Sequence, residues 1–302
     1  MEDFFNRLKE FMRRGDAAGT ENFLREQVAQ LKNSVNSNAL DMVVVLNELG
    51  GFLRGISRYT ESEQCFLEAM SIMELRQLET TDHFATIAMN LAGTYRLQGR
   101  FDDAISLFLK SKSLFERLNE CESFPYLGVI NNLALLYQEI GQHQDAYTMM
   151  LTALELAKKL QARASVIATT LSNLAAIRLG MGYIEEAESI IAEALSMFDG
   201  LQKPDAHHAS ALAAAASIAF RKEKYSDALD NFLKSLSMTE MFFGKNIEYA
   251  ITGCNLAKTY EALHDMDEAR KHQRIAVNIM EQLLGFDHIK AIQNKKILEN
   301  MA

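Results

Sequence analysis

The chain has 302 residues, and 31 Lys+Arg against 40 Asp+Glu give it a formal net charge of −9. That balance argues against a generic surface for DNA, RNA or anionic membranes, which needs clustered lysine and arginine. With only 2 Pro in a chain 48% apolar, against a usual frequency of about 5%, turns must be few or closed by other residues, which favours helix.

The three cysteines, Cys65, Cys121 and Cys254, lie far apart and form no CxxC pair. Neither a disulfide scaffold nor a zinc site is suggested, and a reducing compartment fits. The first sixteen residues, MEDFFNRLKEFMRRGD, are charged throughout and do not read as a signal peptide, so the expected location is cytoplasmic. The most apolar stretch, 209–220, is too short for a bilayer, which takes about 20 apolar residues. No membrane insertion is expected.

Self-similarity decides the organisation. NLAGTYRLQGRFDDAISLF from Asn90 returns as NLALLYQEIGQHQDAYTMM from Asn132, NLAAIRLGMGYIEEAESII from Asn173 and NLAKTYEALHDMDEARKHQ from Asn255. Weaker copies fall in step at Asn6, Glu48 and Ala214, and a half-copy at Lys296, so the intervals are 42, 42, 42, 41, 41, 41 and 41.

Each copy reads as two helices. The first carries a large residue (Leu49, Leu91, Leu133, Leu174, Leu256), then a small one (Gly50, Ala92, Ala134, Ala175, Ala216, Ala257), then often an aromatic (Phe11, Tyr95, Tyr137, Tyr260) on the same face. Glycine closes it at Gly15, Gly99, Gly141 and Gly182, as a residue tolerant of the left-handed conformation should. Acidic pairs at Asp102/Asp103, Glu185/Glu186 and Asp267/Glu268 suit the positive end of a second helix. That helix presents Ala104, Ala146, Ala187, Ala228 and Ala269, then Phe108, Met150, Ile191 and Phe232, then Ser111, Ala153, Ala194, Ser235 and Ala276. Small residues let the two helices approach, and large ones fill the space beside them.

This order of large-small, Tyr, Gly, Ala, Phe and Ala resembles the tetratricopeptide repeat over essentially the whole chain. The 41- to 42-residue spacing resembles the longer repeats of kinesin light chains and of stand-alone bacterial regulators. Gly285, Asp287 and His288 resemble the kinesin-type linker, with Ile289 where proline is usual. The resemblance implies an all-α, right-handed superhelical solenoid of seven antiparallel hairpins plus a C-terminal capping helix. One superhelix is expected over 1–302, with a degenerate capping repeat at 1–40, core repeats at 41–285 and the capping helix at 286–302. The two prolines, Pro125 and Pro204, are expected between hairpins.

Some positions depart from the pattern. Arg178 and Ala219 replace the tyrosine, Glu223 and His264 replace the turn glycine, and Gln273 stands where a bulky core residue belongs. The hairpin carrying the alanine run 211–216 should pack closely, and the one carrying Gln273 should be looser.

First helices line the concave side of such a stack, and the resemblance places groove positions four before, at, three after and seven after the repeated asparagine. The expected peptide-binding groove therefore includes Thr86, Asn90, Gly93 and Leu97; Gly128, Asn132, Leu135 and Glu139; Thr169, Asn173 and Ala176; and Arg221, Asn255 and Lys258. An asparagine ladder offers amide donors and acceptors complementary to a peptide bond, while Gly93, Gly128, Ala176 and Gly180 would leave room for side chains. In these columns Lys9, Arg13, Arg221 and Lys258 stand against Glu2, Glu48 and Glu139, +4 − 3 = +1, so the acidic excess belongs to the outer faces, where it aids solubility. Two readings of the asparagines stand side by side: contact with a ligand, or bonds that merely hold the stack.

Chemistry is not evident. His207 and His208 adjoin Asp205, and His264 precedes Asp265, but no HxxxH or HExxH spacing places two ligands on one helical face. No phosphate loop or nucleophile elbow occurs. No catalytic residue, metal or cofactor is expected. The function implied is a protein-protein interaction scaffold or adaptor that holds a peptide segment of a partner. The alternative is a peptide-responsive regulator acting through a separate output partner. The expected partner is a protein or peptide, not nucleic acid, and exposed end faces leave a homodimer open.

Overall fold

The computed structural model describes residues 1–33, 38–202 and 205–301. Among them are fifteen α-helices and no strand. They run α1 (Glu2–Arg14), α2 (Ala17–Asn33), α3 (Ala39–Gly55), α4 (Tyr59–Leu75), α5 (Asp82–Leu97), α6 (Phe101–Arg117), α7 (Phe124–Glu139) and α8 (His143–Lys159). Then come α9 (Ala164–Gly180), α10 (Ile184–Asp199), α11 (Ala206–Arg221), α12 (Tyr225–Phe243), α13 (Ile247–Ala262), α14 (Met266–Leu284) and α15 (Ile289–Asn300). Seven antiparallel hairpins and a closing helix result, an all-α fold of helical repeats in which α1 to α14 pair in sequence order. Pro125 sits in the first turn of α7, where a missing N–H costs nothing. Pro204 lies outside the described residues.

The chain divides into two compact units, Met1–Gln161 and Ala162–Ala302. In the N-terminal unit Phe66, Phe84, Phe108 and Phe115 are wholly buried in one cluster with the small residues Ala92 and Ala104. Ser111 shows why serine is accepted at a small position: its hydroxyl donates to the Ala85 carbonyl of the paired helix at 2.7 Å. Here α3 touches α5 and α5 touches α7, so the first helices form one continuous inner face. In the C-terminal unit α9, α11 and α13 touch in the same way. There the alanine run brings α11 against α12, and Ser235 donates to the Ala209 carbonyl at 2.8 Å.

All seven hairpin turns contain a left-handed residue at the same register position: Gly15, Ser57, Gly99, Gly141, Gly182, Glu223 and His264. The replacements for glycine do not change the turn. Glu223 (φ 59°) and His264 (φ 64°) are followed by the same closing bonds as Gly99. Lys224 N donates to Ala219 O and Asp265 N to Tyr260 O, as Arg100 N does to Tyr95 O, all at 2.9 Å.

The other departures are filled locally. Arg178, in the tyrosine place, is buried, lies 3.8 Å from the Tyr183 ring centroid and bonds Glu186. Looser packing around Gln273 is not found. Its side chain is 1% exposed and its amide is satisfied by α15, so a polar residue takes a core position without leaving an unpaired donor.

Candidate functional site

The inner face of the N-terminal unit is a half-buried polar row with apolar walls. The Asn90 amide donates to Asn47 Oδ1 of the preceding first helix at 2.8 Å. The Asn132 amide turns back onto its own helix, to the Gly128 carbonyl at 2.9 Å. Among the described residues the Oδ1 atoms of Asn90 and Asn132 accept no hydrogen bond, which leaves one acceptor on each for a ligand. Thr86 is half-buried and bonds the Asp82 carbonyl at 2.9 Å. Leu97 and Leu135 are half-buried apolar surface.

Room is distributed differently from the expectation. A Cβ on Gly93 would come within 2.7 Å of Arg54 Nη1, because that guanidinium reaches across to donate to the Asn90 carbonyl at 2.8 Å. Gly93 makes space for Arg54 and not for a ligand. Gly128 is also covered, with Met89 Sδ 3.2 Å from an added Cβ. Open space lies over Gly51, where an added Cβ meets nothing within 4 Å. It also lies in a cavity of about 290 Å³ between α1, α3, α5 and the start of α7, lined by Glu48, Thr86, His83 and the apolar side chains of Val43, Val44 and Ile87.

Charge on this face is organised by two arginines 42 residues apart. Arg96 pairs with Glu139 of the next first helix, so Glu139 is not an isolated groove charge. Arg54 has no carboxylate partner among the described residues. Burial, and then the neighbouring Arg96 charge, lower its pKa to about 10. Glu48 is the converse: burial pushes its carboxyl above the usual range, opposed only by the Asn47 amide at 3.5 Å.

In the C-terminal unit the half-buried Asn173 and Asn255 make no side-chain hydrogen bond among the described residues. Thr169 bonds the Ser165 carbonyl at 2.8 Å, and Ala176 is half-buried. Arg221 and Lys258 are exposed. Cys254 does not reach the edge of this face. It is 6% exposed, and burial pushes its thiol up to about 11.

Sequence reasoning missed Arg54, Arg96 and Asn47. The two arginines stand one residue before the outermost groove column and Asn47 one before the asparagine column. The signal available was arginine at the same offset in successive repeats.

A stack of antiparallel helical hairpins with a polar inner face defines a class of helical repeat proteins. Family models of the tetratricopeptide repeat match residues 41–117, 83–159, 166–241 and 252–290. The chain belongs to the tetratricopeptide repeat family. No curated protein matches it. Its fold is similar to that of NprR in complex with its cognate peptide NprX, with TM-score 0.69 at 14% identity over 99% of this chain and 86% of that one. It is also similar to a Rap protein complexed with competence and sporulation factor, with TM-score 0.65 at 13% identity over 100% and 99%. A third similar structure is BtubC from P. vanneervenii, with TM-score 0.54 at 22% identity over 68% and 83%. No helix among the described residues is long and apolar enough to cross a membrane.

Proposed function

We propose that the chain is a protein-protein interaction scaffold whose inner face holds a peptide segment of a partner protein. The observation that carries this reading is the row of half-buried asparagines on the inner face of the N-terminal unit, Asn90 and Asn132, whose carboxamide oxygens accept no hydrogen bond among the described residues; the C-terminal unit carries Asn173 and Asn255, also half-buried. A carboxamide matches the donor and acceptor of a peptide bond, so such a row can hold main chain with little regard to sequence. Specificity then comes from the space beside it. The likeness to NprR, solved with its cognate peptide, supports the reading.

The test is selection of peptides from a random library by the full chain, followed by affinity measurement on a variant with Asn90 and Asn132 changed to Ala. Affinity should drop at least tenfold with helix content unchanged. Unaltered affinity overturns the assignment.

A second reading, a peptide-responsive regulator, is favoured by the near full-length likeness to NprR, which is also solved as the apo form of a quorum sensor. The selected peptides distinguish the two. A regulator changes its small-angle scattering profile on binding, and a passive scaffold does not.

A further inference from the structure

The cavity on the N-terminal unit has a chemistry of its own. Its walls are apolar, from Phe5, Val44 and Ile87, and Glu48 lines it from α3. Asp82 and His83 also line it, bonded to each other at 2.9 Å. No lysine or arginine lines it. The inner-face cation on the same helix, Arg54, is six residues on, about 9 Å along the axis, and is engaged with the Asn90 carbonyl.

Glu48 is thus a half-buried carboxyl in a cavity, without a cation among the described residues and with one long contact to Asn47 at 3.5 Å. Removing a carboxylate from water without a partner is costly, and the cost is recovered when a cation is brought beside it. Burial has already raised the Glu48 pKa for this reason. An anionic ligand group would be repelled here, and a purely apolar one would leave the carboxyl more deeply buried and still unpaired. What satisfies both wall and carboxyl is an apolar stem ending in a cationic nitrogen, which packs its methylenes and delivers its charge at the tip.

We propose that this cavity is a specificity pocket for a basic side chain, lysine or arginine, of the bound peptide, with Glu48 as its counter-charge. The proposal rests on the inner-face reading above and adds the class of residue selected. A peptide amino terminus shares the cationic nitrogen but brings main chain in place of a long stem.

The test uses the full chain and a random library of nonapeptides, acetylated and amidated in one arm and with a free amino terminus in the other. Selected peptides should carry Lys or Arg at one position in both arms. Replacing that residue by citrulline or glutamine should weaken binding at least tenfold to the wild type and less than threefold to Glu48→Gln, an isosteric change that removes the half-buried charge. Val44→Phe, which fills the cavity from its apolar wall, should remove the preference for a basic residue while binding through the rest of the face persists. Peptides retained with no preference for a basic residue, an equal citrulline effect in wild type and Glu48→Gln, or a requirement for the free amino terminus each overturn the pocket and leave the inner-face reading intact. A wild-type chain that retains no peptide overturns both.

Discussion

Gln273 on α14 donates from Nε2 to the main-chain oxygen of Asn294 on α15 at 3.0 Å and to its Oδ1 at 3.2 Å. The Asn294 amide in turn bonds the Lys290 carbonyl at 2.9 Å, and Arg270 reaches the Met301 carbonyl. The closing helix buries little apolar surface, with Ala291 its one buried residue, so polar bonds carry an unusual share of its attachment. Asn294→Ala should cost about 1 kcal/mol of stability. Amide exchange should locate the loss, with protection falling in α15 and staying unchanged in α11 and α12. Uniform loss across the C-terminal unit would show that α15 does not open by itself.

A second prediction concerns the turns. A side chain in the left-handed region costs roughly 1–2 kcal/mol, and glycine relieves this at the expense of unfolded-state entropy. Glu223 and His264 are exposed and hold φ of 59° and 64°, so Glu223→Gly and His264→Gly should each stabilise by about 0.5–1 kcal/mol in urea unfolding. Ser57, at φ 64°, is buried and its hydroxyl is bonded by Tyr59 at 3.2 Å. Ser57→Gly should therefore give no gain.

The turn geometry also shows what could be read in advance. Leu91, Ala92, Tyr95, Gly99 and Ala104 recur at one period, and that period alone determines which side chains fill a hairpin and where it reverses. The turn therefore persists at Glu223 and His264, because the flanking helices and not the residue impose it. The inner face was legible only in outline. That the Asn90 amide goes to Asn47, and that Arg54 occupies the space over Gly93, depends on how neighbouring first helices are rotated against each other. A repeat period carries no such information. Gln273 misled for a related reason: its partner lies on a helix outside the repeated pattern.

Acid should weaken the C-terminal unit through three histidines. Burial lowers the pKa of His208, stacked on Phe198 with ring centroids 5.0 Å apart, against the opposing charges of Asp199 and Asp205. Burial likewise lowers His272, stacked on Tyr260 at 5.5 Å, with Glu268 opposing and Lys271 assisting. His288, lowered by burial and by Lys290, accepts the Lys290 N–H at Nδ1, which only a neutral ring can do. With each folded pKa below the ordinary 6.5, the unfolded chain binds more protons between the two values. Their contribution is present above pH about 6.5 and is lost as pH falls through the folded pKa. Urea midpoints of the wild type should drop on acidification more steeply than those of a His208→Phe, His272→Phe, His288→Ser variant, and parallel pH profiles would refute the assignment.

The last prediction isolates the contact between Arg54 and Gly93. Alanine normally favours a helix interior over glycine by about 0.5–1 kcal/mol, but at position 93 its methyl group would meet the Arg54 guanidinium at 2.7 Å. The flexible side chain can swing away only by giving up its bond to the Asn90 carbonyl, and a hydrogen bond from a charged donor is worth about 1.5–3 kcal/mol. Gly93→Ala should therefore be neutral to destabilising by about 1–2 kcal/mol in the wild type. In an Arg54→Ala background, where the space is vacant and the bond already gone, the same change should stabilise by about 0.5–1 kcal/mol. The quantity measured is the coupling between the two sites in urea unfolding, expected at about 1–3 kcal/mol. A coupling of zero would mean that glycine at 93 is not held there by Arg54, and the space over it would again be available to a ligand.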